Sequence, residues 1–312
     1  MAASTRWQIR PHPVRLLLTS SLGITHELGP YTKSHTGQVG QMTPEESSTV
    51  AALVTSCGAQ NYGLHLDELA RLFASFDMSC AFAYRYDHTP EVIHDGYSAA
   101  VSRDALSRYL KGGYLLDPFY VACISGEKAG LWRMREIAPD GFFSSDFVSS
   151  REVHPCISED EGSLVEEIGF IIPLGDGASA VYSLMRNKGG SPFSTNEFER
   201  LQVISPIIAA SMQRHRGGSG TTQQSPPQYG TSESAFRLAF GDRLTPTQHN
   251  VVRLILRGHS NVSIAAHMGI AEGTAKLHRH NIYRRLNITS QSELFQLFIE
   301  HLGPTFPKWP AA

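Results

Sequence analysis

Lys276, Arg279, His280 and Tyr283 stand three and four residues apart in the stretch from Gly273 to Leu286. On a helix that spacing gathers them along one side, while Ala275, His278, Ile282 and Leu286 gather along the other. A cationic side opposite an apolar one suits recognition of a polyanion. Lys276 and His280, one turn apart, can reach neighbouring base edges if the helix lies in a major groove. Arg279, Arg284 and Arg285 are long cations that need no base alignment, so they suit phosphates. Plainer readings stand beside these. A surface lysine alone means nothing, His278 reads better as a packed core histidine, and Tyr283 reads equally as a phosphate contact or as interhelix packing.

Short helices must hold that stretch in place. Thr245 caps the first, with Pro246 at its first position, and Val251, Leu254 and Ile255 give it one apolar side. Gly258 stops it. Ser260 is the next N-cap, Ile264, Ala265 and Met268 form a second stripe, and Gly269 fits the left-handed residue that ends a helix. Only Ile270 to Glu272 separate this helix from the next, so the two pack at a steep angle, as in a helix-turn-helix. A fourth helix, Gln291 to His301, spends Leu294, Leu297 and Phe298 on its own core and leaves Phe295, Ile299 and Leu302 on a second apolar side.

From Leu244 to Leu302 the segment resembles the LuxR-type helix-turn-helix. The resemblance rests on Leu244-Thr245, Val251 with Leu254, Gly258, Ser260-Asn261, Ile264-Ala265, Gly269-Ile270 and Gly273-Thr274. It continues through Lys276, His278, Asn281-Ile282-Tyr283, Leu286 and Glu293-Leu294. It implies that Lys276, Leu277 and His280 read bases, and that Thr274 with Ser260 and Asn261 holds phosphates. It also implies that the fourth helix pairs two subunits, which makes double-stranded DNA, a second copy of the chain and RNA polymerase the expected partners. The chain departs from the family at Gln248-His249, Val262-Ser263 and Ala275, which bears on affinity and operator choice more than on fold.

Charge is divided to match. Apolar residues make up 41% of the 312, enough for real cores, and the net charge is only −2. Residues 61–215 carry 21 acidic and 13 basic side chains, a net of −8. Residues 242–302 carry 4 acidic and 7 basic, a net of +3, with six histidines besides. The basic end suits a polyanion that the acidic body would repel. Cys57, Cys80, Cys123 and Cys156 form no C-x-x-C pair, so reduced thiols in the cytoplasm are expected. His154 and Cys156 find no second pair at ligand spacing, so no metal and no cofactor are expected. No run approaches the ~18 apolar residues that cross a bilayer. Arg15-Leu16-Leu17-Leu18 is too short for a signal peptide and is interrupted by Thr19, Ser20 and Ser21.

Residues 1–60 read as a disordered or loosely attached extension, although Met42-Thr43-Pro44-Glu45-Glu46 looks like a natural start with a helix cap in it. Residues 61–215 form the body, 216–240 a flexible Gly/Ser/Pro linker, 241–303 the helical unit and 304–312 a tail. Within the body, strands are expected at 80–86 and 91–97, then at 168–174 and 178–186 around Gly175-Asp176-Gly177. Helices are expected at 103–111, 117–126 and 195–214. The fold class is therefore an α+β sandwich on an antiparallel sheet, followed by an all-α four-helix unit.

The body resembles, more loosely, the sensor domain of LuxR-type regulators, itself similar to GAF and PAS domains. Tyr109, Tyr114, Asp117-Pro118, Trp132 and the Gly169-to-Pro173 strand carry the likeness. It implies a ligand pocket at Tyr109, Tyr114, Asp117 and Trp132, where a buried carboxylate accepts an N–H from a small molecule and aromatics wall its tail. Asp117 reads equally as a plain helix cap before Pro118, and Tyr114 and Trp132 as core aromatics. Glu159-Asp160-Glu161 and Glu166-Glu167 read as solvated loop charges. No nucleophile has a base at convincing spacing, so no catalytic residue and no enzyme are expected. The expected function is a bacterial transcription regulator that senses a small molecule or partner. The alternatives are a protein-binding adaptor and an orphan regulator without a ligand.

Overall fold

A computed structural model of the chain describes residues 42–85, 88–97, 103–149, 164–187, 189–218 and 232–301. Its centre is a five-stranded antiparallel sheet in the order β2-β1-β5-β4-β3. The strands are β1 (Met78–Arg85), β2 (Glu91–Gly96), β3 (Gly130–Arg133), β4 (Leu164–Gly175) and β5 (Ala178–Asn187). Alternation along each strand sends side chains to opposite faces. Ile168, Phe170 and Ile172 of β4 and Ala180, Tyr182 and Leu184 of β5 enter one core, whereas Ile171, Val181 and Met185 enter the other. The β4–β5 turn has positive φ at both Asp176 and Gly177, as a type I′ hairpin requires, and Asp-Gly is a preferred pair for it.

Helices α1 (Pro44–Thr55), α2 (Tyr62–Arg71) and α7 (Thr195–Gly218) supply Leu53, Leu66, Leu69, Leu201, Ile204 and Ile208 to the first core. On the other face, α3 (Arg103–Lys111) and α4 (Pro118–Ser125) bring Leu106, Tyr109, Phe119 and Tyr120 against Phe82 and Tyr84. Two short helices, α5 (Met134–Ile137) and α6 (Asp146–Ser149), follow β3. The C-terminal helices are α8 (Ser232–Phe240), α9 (Pro246–Leu256), α10 (Asn261–Met268), α11 (Glu272–Leu286) and α12 (Gln291–His301). Their core is continuous with the second sheet face: Phe142 and Phe147 share one apolar cluster with Val252, Ile255, Phe295 and Phe298. All described residues belong to one compact unit that starts at Met42.

Four expectations change. Residues 44–55 are a packed helix rather than part of a loose extension, because Thr43 and Glu46 close a capping box and Leu53 is fully buried. The polar linker ends early, since Phe236 and Phe240 bury on Phe298 and make 232–240 a helix. Glu166 and Glu167 are buried in β4, not solvated. Glu166 Oε1 accepts from Arg133 Nη1 at 2.6 Å and its Oε2 from the Phe193 N–H at 2.7 Å, so the charge enters the core with its partners. Finally, β3 is a strand beyond the four expected: four residues at a sheet edge with only Leu131 and Arg133 buried. Residues 1–41, His154 with Cys156, the 159–161 acidic run, most of the 216–240 segment and Leu302 lie outside the described residues. Among the described residues no helix is long and apolar enough to cross a membrane.

Candidate nucleic-acid surface and sensor cavity

The helix-turn-helix is built by its caps. Thr245 Oγ1 accepts from the Gln248 N–H (3.3 Å) while Gln248 Oε1 accepts from the Thr245 N–H (3.0 Å), with Pro246 opening α9. Gly258 turns out of α9 at φ +89, Ser260 caps α10 through the Ser263 N–H, and Gly269 ends α10 in the left-handed region. Asn287 does the same for α11, at φ 57. Between Gly269 and Glu272 the chain has no room to relax, so α11 leaves α10 at once.

Ala275, Ile282 and Leu286 bury one side of α11. Lys276, Leu277 and His280 lie in solvent on the other, with Thr274 and Arg284 also exposed. Leu277 is 57% exposed, so the row is apolar at its middle position. Lys276 Nζ meets Glu272 Oε1 at 2.8 Å across one helical turn. Arg279 is turned aside: half-buried, it donates to Gln291 Oε1 at 3.4 Å, and its buried Nε has no hydrogen-bond partner among the described residues. His278 and Tyr283 are half-buried. Ser260 and Asn261 sit half-buried at the start of α10, apart from the exposed row on α11. Burial and the neighbouring His267 ring hold His259 down to about 4, so it is neutral at pH 7.

The second candidate site lies between the sheet and α3–α4. Cys80, Phe82, Tyr84, Tyr97, Tyr109, Asp117, Phe119, Glu167, Val181 and Ser183 line a small cavity of about 10 Å³. Tyr109 donates its hydroxyl proton to Asp117 Oδ2 at 2.7 Å, and its oxygen lies 2.9 Å from that of Tyr84. Asp117 Oδ1 accepts from the Phe119 N–H at 2.8 Å, so the same carboxylate both caps α4 and lines the cavity. Tyr114 is set behind it, edge-on to Tyr120 at 4.9 Å between ring centres. Trp132 stands apart: half-exposed, it donates Nε1–H to the Lys128 carbonyl at 2.8 Å and does not line this cavity. Of the lining residues only Tyr109 and Asp117 were expected, and Glu167, the second carboxyl, is among those that sequence reasoning missed. Burial, then the nearby Asp117 charge, pushes its carboxyl up to about 8, and burial raises Asp117 as well. A pair of glutamates directly ahead of an apolar strand was the available signal. A larger hollow of about 260 Å³ opens beside α5 and the start of β4, lined by Met134, Arg135, Phe143, Val148 and Leu164 among others.

An antiparallel α+β domain joined to capped short helices, the third with Lys276, Leu277 and His280 in solvent, describes a helix-turn-helix transcriptional regulator. Residues 242–298 match the bacterial regulatory proteins of the luxR family. A putative HTH-type transcriptional regulator from the exeN 3′ region of Aeromonas salmonicida is 31% identical over 196 residues, 60% of this chain and 94% of that protein. The response regulator protein TodT of Pseudomonas putida is 26% identical over 140 residues, 43% of this chain and 56% of its own length. The VqsR LBD domain of Pseudomonas aeruginosa aligns in three dimensions with a TM-score of 0.49 and 18% identity, covering 57% of this chain and 99% of that domain. The chain belongs to the luxR family of bacterial regulatory proteins.

Proposed function

We propose that α11 enters the major groove of an operator and reads it with Lys276, Leu277 and His280, while Thr274, Arg284, Ser260 and Asn261 hold the phosphates on either side. One observation carries this reading: α11 is packed by Ala275, Ile282 and Leu286, yet leaves Lys276, Leu277 and His280 in solvent. Leu277 offers an apolar patch for a thymine methyl, and Lys276 and His280 offer donors to purine edges. Arg279 turns from Gln291 to join the phosphate contacts, and Lys276 exchanges Glu272 for DNA. Two copies pair on a two-fold-related site, and the regulator works in the cytoplasm with RNA polymerase.

The sensing half of the proposal is the Tyr109–Asp117–Glu167 cavity. Closed to about 10 Å³, it is not preformed for a ligand. A small molecule with an N–H or O–H donor would take Asp117 Oδ2 from Tyr109, and Tyr84 and Tyr114 would swing to wall its tail. Selection of bound duplexes from a random pool tests the DNA half. A two-fold-related sequence should emerge with the wild type and vanish with Lys276→Glu. Native mass spectrometry of protein from its own host tests the sensing half, with an added mass that Asp117→Asn fails to retain.

A further inference from the structure

The start of α10 is already engaged. Asp140, on the turn between α5 and α6, accepts from the Ser260 N–H through Oδ1 at 3.0 Å and from the Ser260 hydroxyl through Oδ2 at 2.5 Å. Its neighbour Gly141 donates its N–H to the Gly258 carbonyl at 2.9 Å. The backbones there touch: a Cβ on Gly141 would stand 2.8 Å from that carbonyl oxygen, and a Cβ on Gly258 would stand 2.5 Å from Phe142 Cα. Two more bonds flank the junction, Arg257 Nε to the Leu115 carbonyl and Ser292 Oγ to Asp146 Oδ1, each at 3.0 Å. Arg257 is buried there, and its Nη2 finds no hydrogen-bond partner among the described residues.

A helix start presents N–H groups and the positive end of its dipole, which is why phosphates bind there. α10 has the length for it, eight residues. Its first donors, the Ser260 N–H and hydroxyl, are the ones assigned above to a DNA phosphate, and they are the ones Asp140 holds. One N–H and one hydroxyl cannot serve two anions. We infer that Asp140 stands in for a DNA phosphate at the start of α10, so that the sensor domain and DNA compete for Ser260. This rests on the DNA reading of α10 and adds its control.

The hydrogen bonds from Ser260 also hold the Asp140 carboxyl below its usual range, so the clamp is charged at neutral pH. The clamp is accompanied by cover on α12, whose Phe295 and Ile299 are buried and which packs against α6 and α8. A molecule that binds the sensor more tightly when it is undocked therefore shifts the chain toward DNA, by no more than its difference in affinity for the two states.

Full-length wild type, Asp140→Ala, Asp140→Asn and the double variant Asp140→Ala/Lys276→Glu should be compared. Binding to a fluorescent random-sequence duplex at low salt is followed by anisotropy, and amide exchange at Ser260 by mass spectrometry without DNA. Asp140→Ala should bind roughly 10-fold more tightly than wild type and exchange faster at Ser260. Asp140→Asn, which keeps the shape without the charge, should fall between. The double variant should lose the gain. Equal affinity of wild type and Asp140→Ala, whatever the exchange rate, overturns the inference, as does a gain that survives Lys276→Glu. Binding that depends on Lys276 but not on Asp140 removes the clamp alone. Absence of binding by every version removes the DNA reading and the clamp with it.

Discussion

Gly141 and Gly258 meet backbone to backbone, with N–H to carbonyl at 2.9 Å and no space for a side chain on either. Gly258 also needs its positive φ to leave α9, so it serves two geometries at once. Gly141 serves only the contact. Gly141→Val should therefore open the junction and leave both folded parts intact, at a cost of ~1–3 kcal/mol of overpacking. Calorimetry should resolve the melting into two transitions. A single unchanged transition would mean that the junction adds no cooperativity.

Buried Glu167 makes the sensor's stability depend on pH in the opposite sense from an ordinary paired carboxylate. Its folded value of about 8 lies above the unfolded value near 4.5, so the folded chain holds the extra proton between those limits. Stability is highest below about pH 4.5 as far as this group is concerned, and falls as pH rises through 8. His259 acts oppositely: lowered to about 4, it removes stability as pH falls below 6.5. Glu167→Gln isolates the first effect. Denaturant melts of the variant should lose the decline between pH 7 and 9, which for the wild type amounts to roughly 1 kcal/mol or more. A wild-type curve flat over that range would contradict a protonated Glu167.

Arg133 and Glu166 form a buried pair that also ties down the Phe193 backbone at both its N–H and its carbonyl. Removing one partner leaves the other charged in the core. Glu166→Ala should cost about 3–5 kcal/mol in urea unfolding. A loss under about 1 kcal/mol would place solvent at the pair.

Thr245 heads the helix on which α11 packs, through a capping box with Gln248. Thr245→Ala should lower stability by ~1 kcal/mol and leave the DNA surface in place. The thermal midpoint should fall while affinity per folded molecule stays constant.

The helical unit could be read from the chain almost residue by residue, because its signals are local. Thr245-Pro246, Gly258, Ser260 and Gly269 each act within a turn of their own position, and the structure puts a cap or a stop at every one. Signals that depend on distant residues were lost. Glu166 and Glu167 look solvated until Arg133 and Asp117 arrive from elsewhere in the chain. Phe236 and Phe240 sit in a segment that reads as linker until Phe298 covers them. Arg279 has the spacing of the outer face of α11, yet Gln291 from the next helix draws it inward. Asp140, in a short turn with no periodicity, gave no sign at all that it would reach Ser260.

The central claim is that the exposed row on α11 contacts DNA. It is tested most directly by titrating wild type and Lys276→Glu with a selected duplex over a range of salt. Wild-type affinity should fall steeply as salt rises, by close to one power of salt concentration for each phosphate neutralised. Folded Lys276→Glu should bind at least 10-fold more weakly at every salt concentration, the loss of about one good base contact. Equal binding by the two proteins, or no binding by the wild type, would contradict the account.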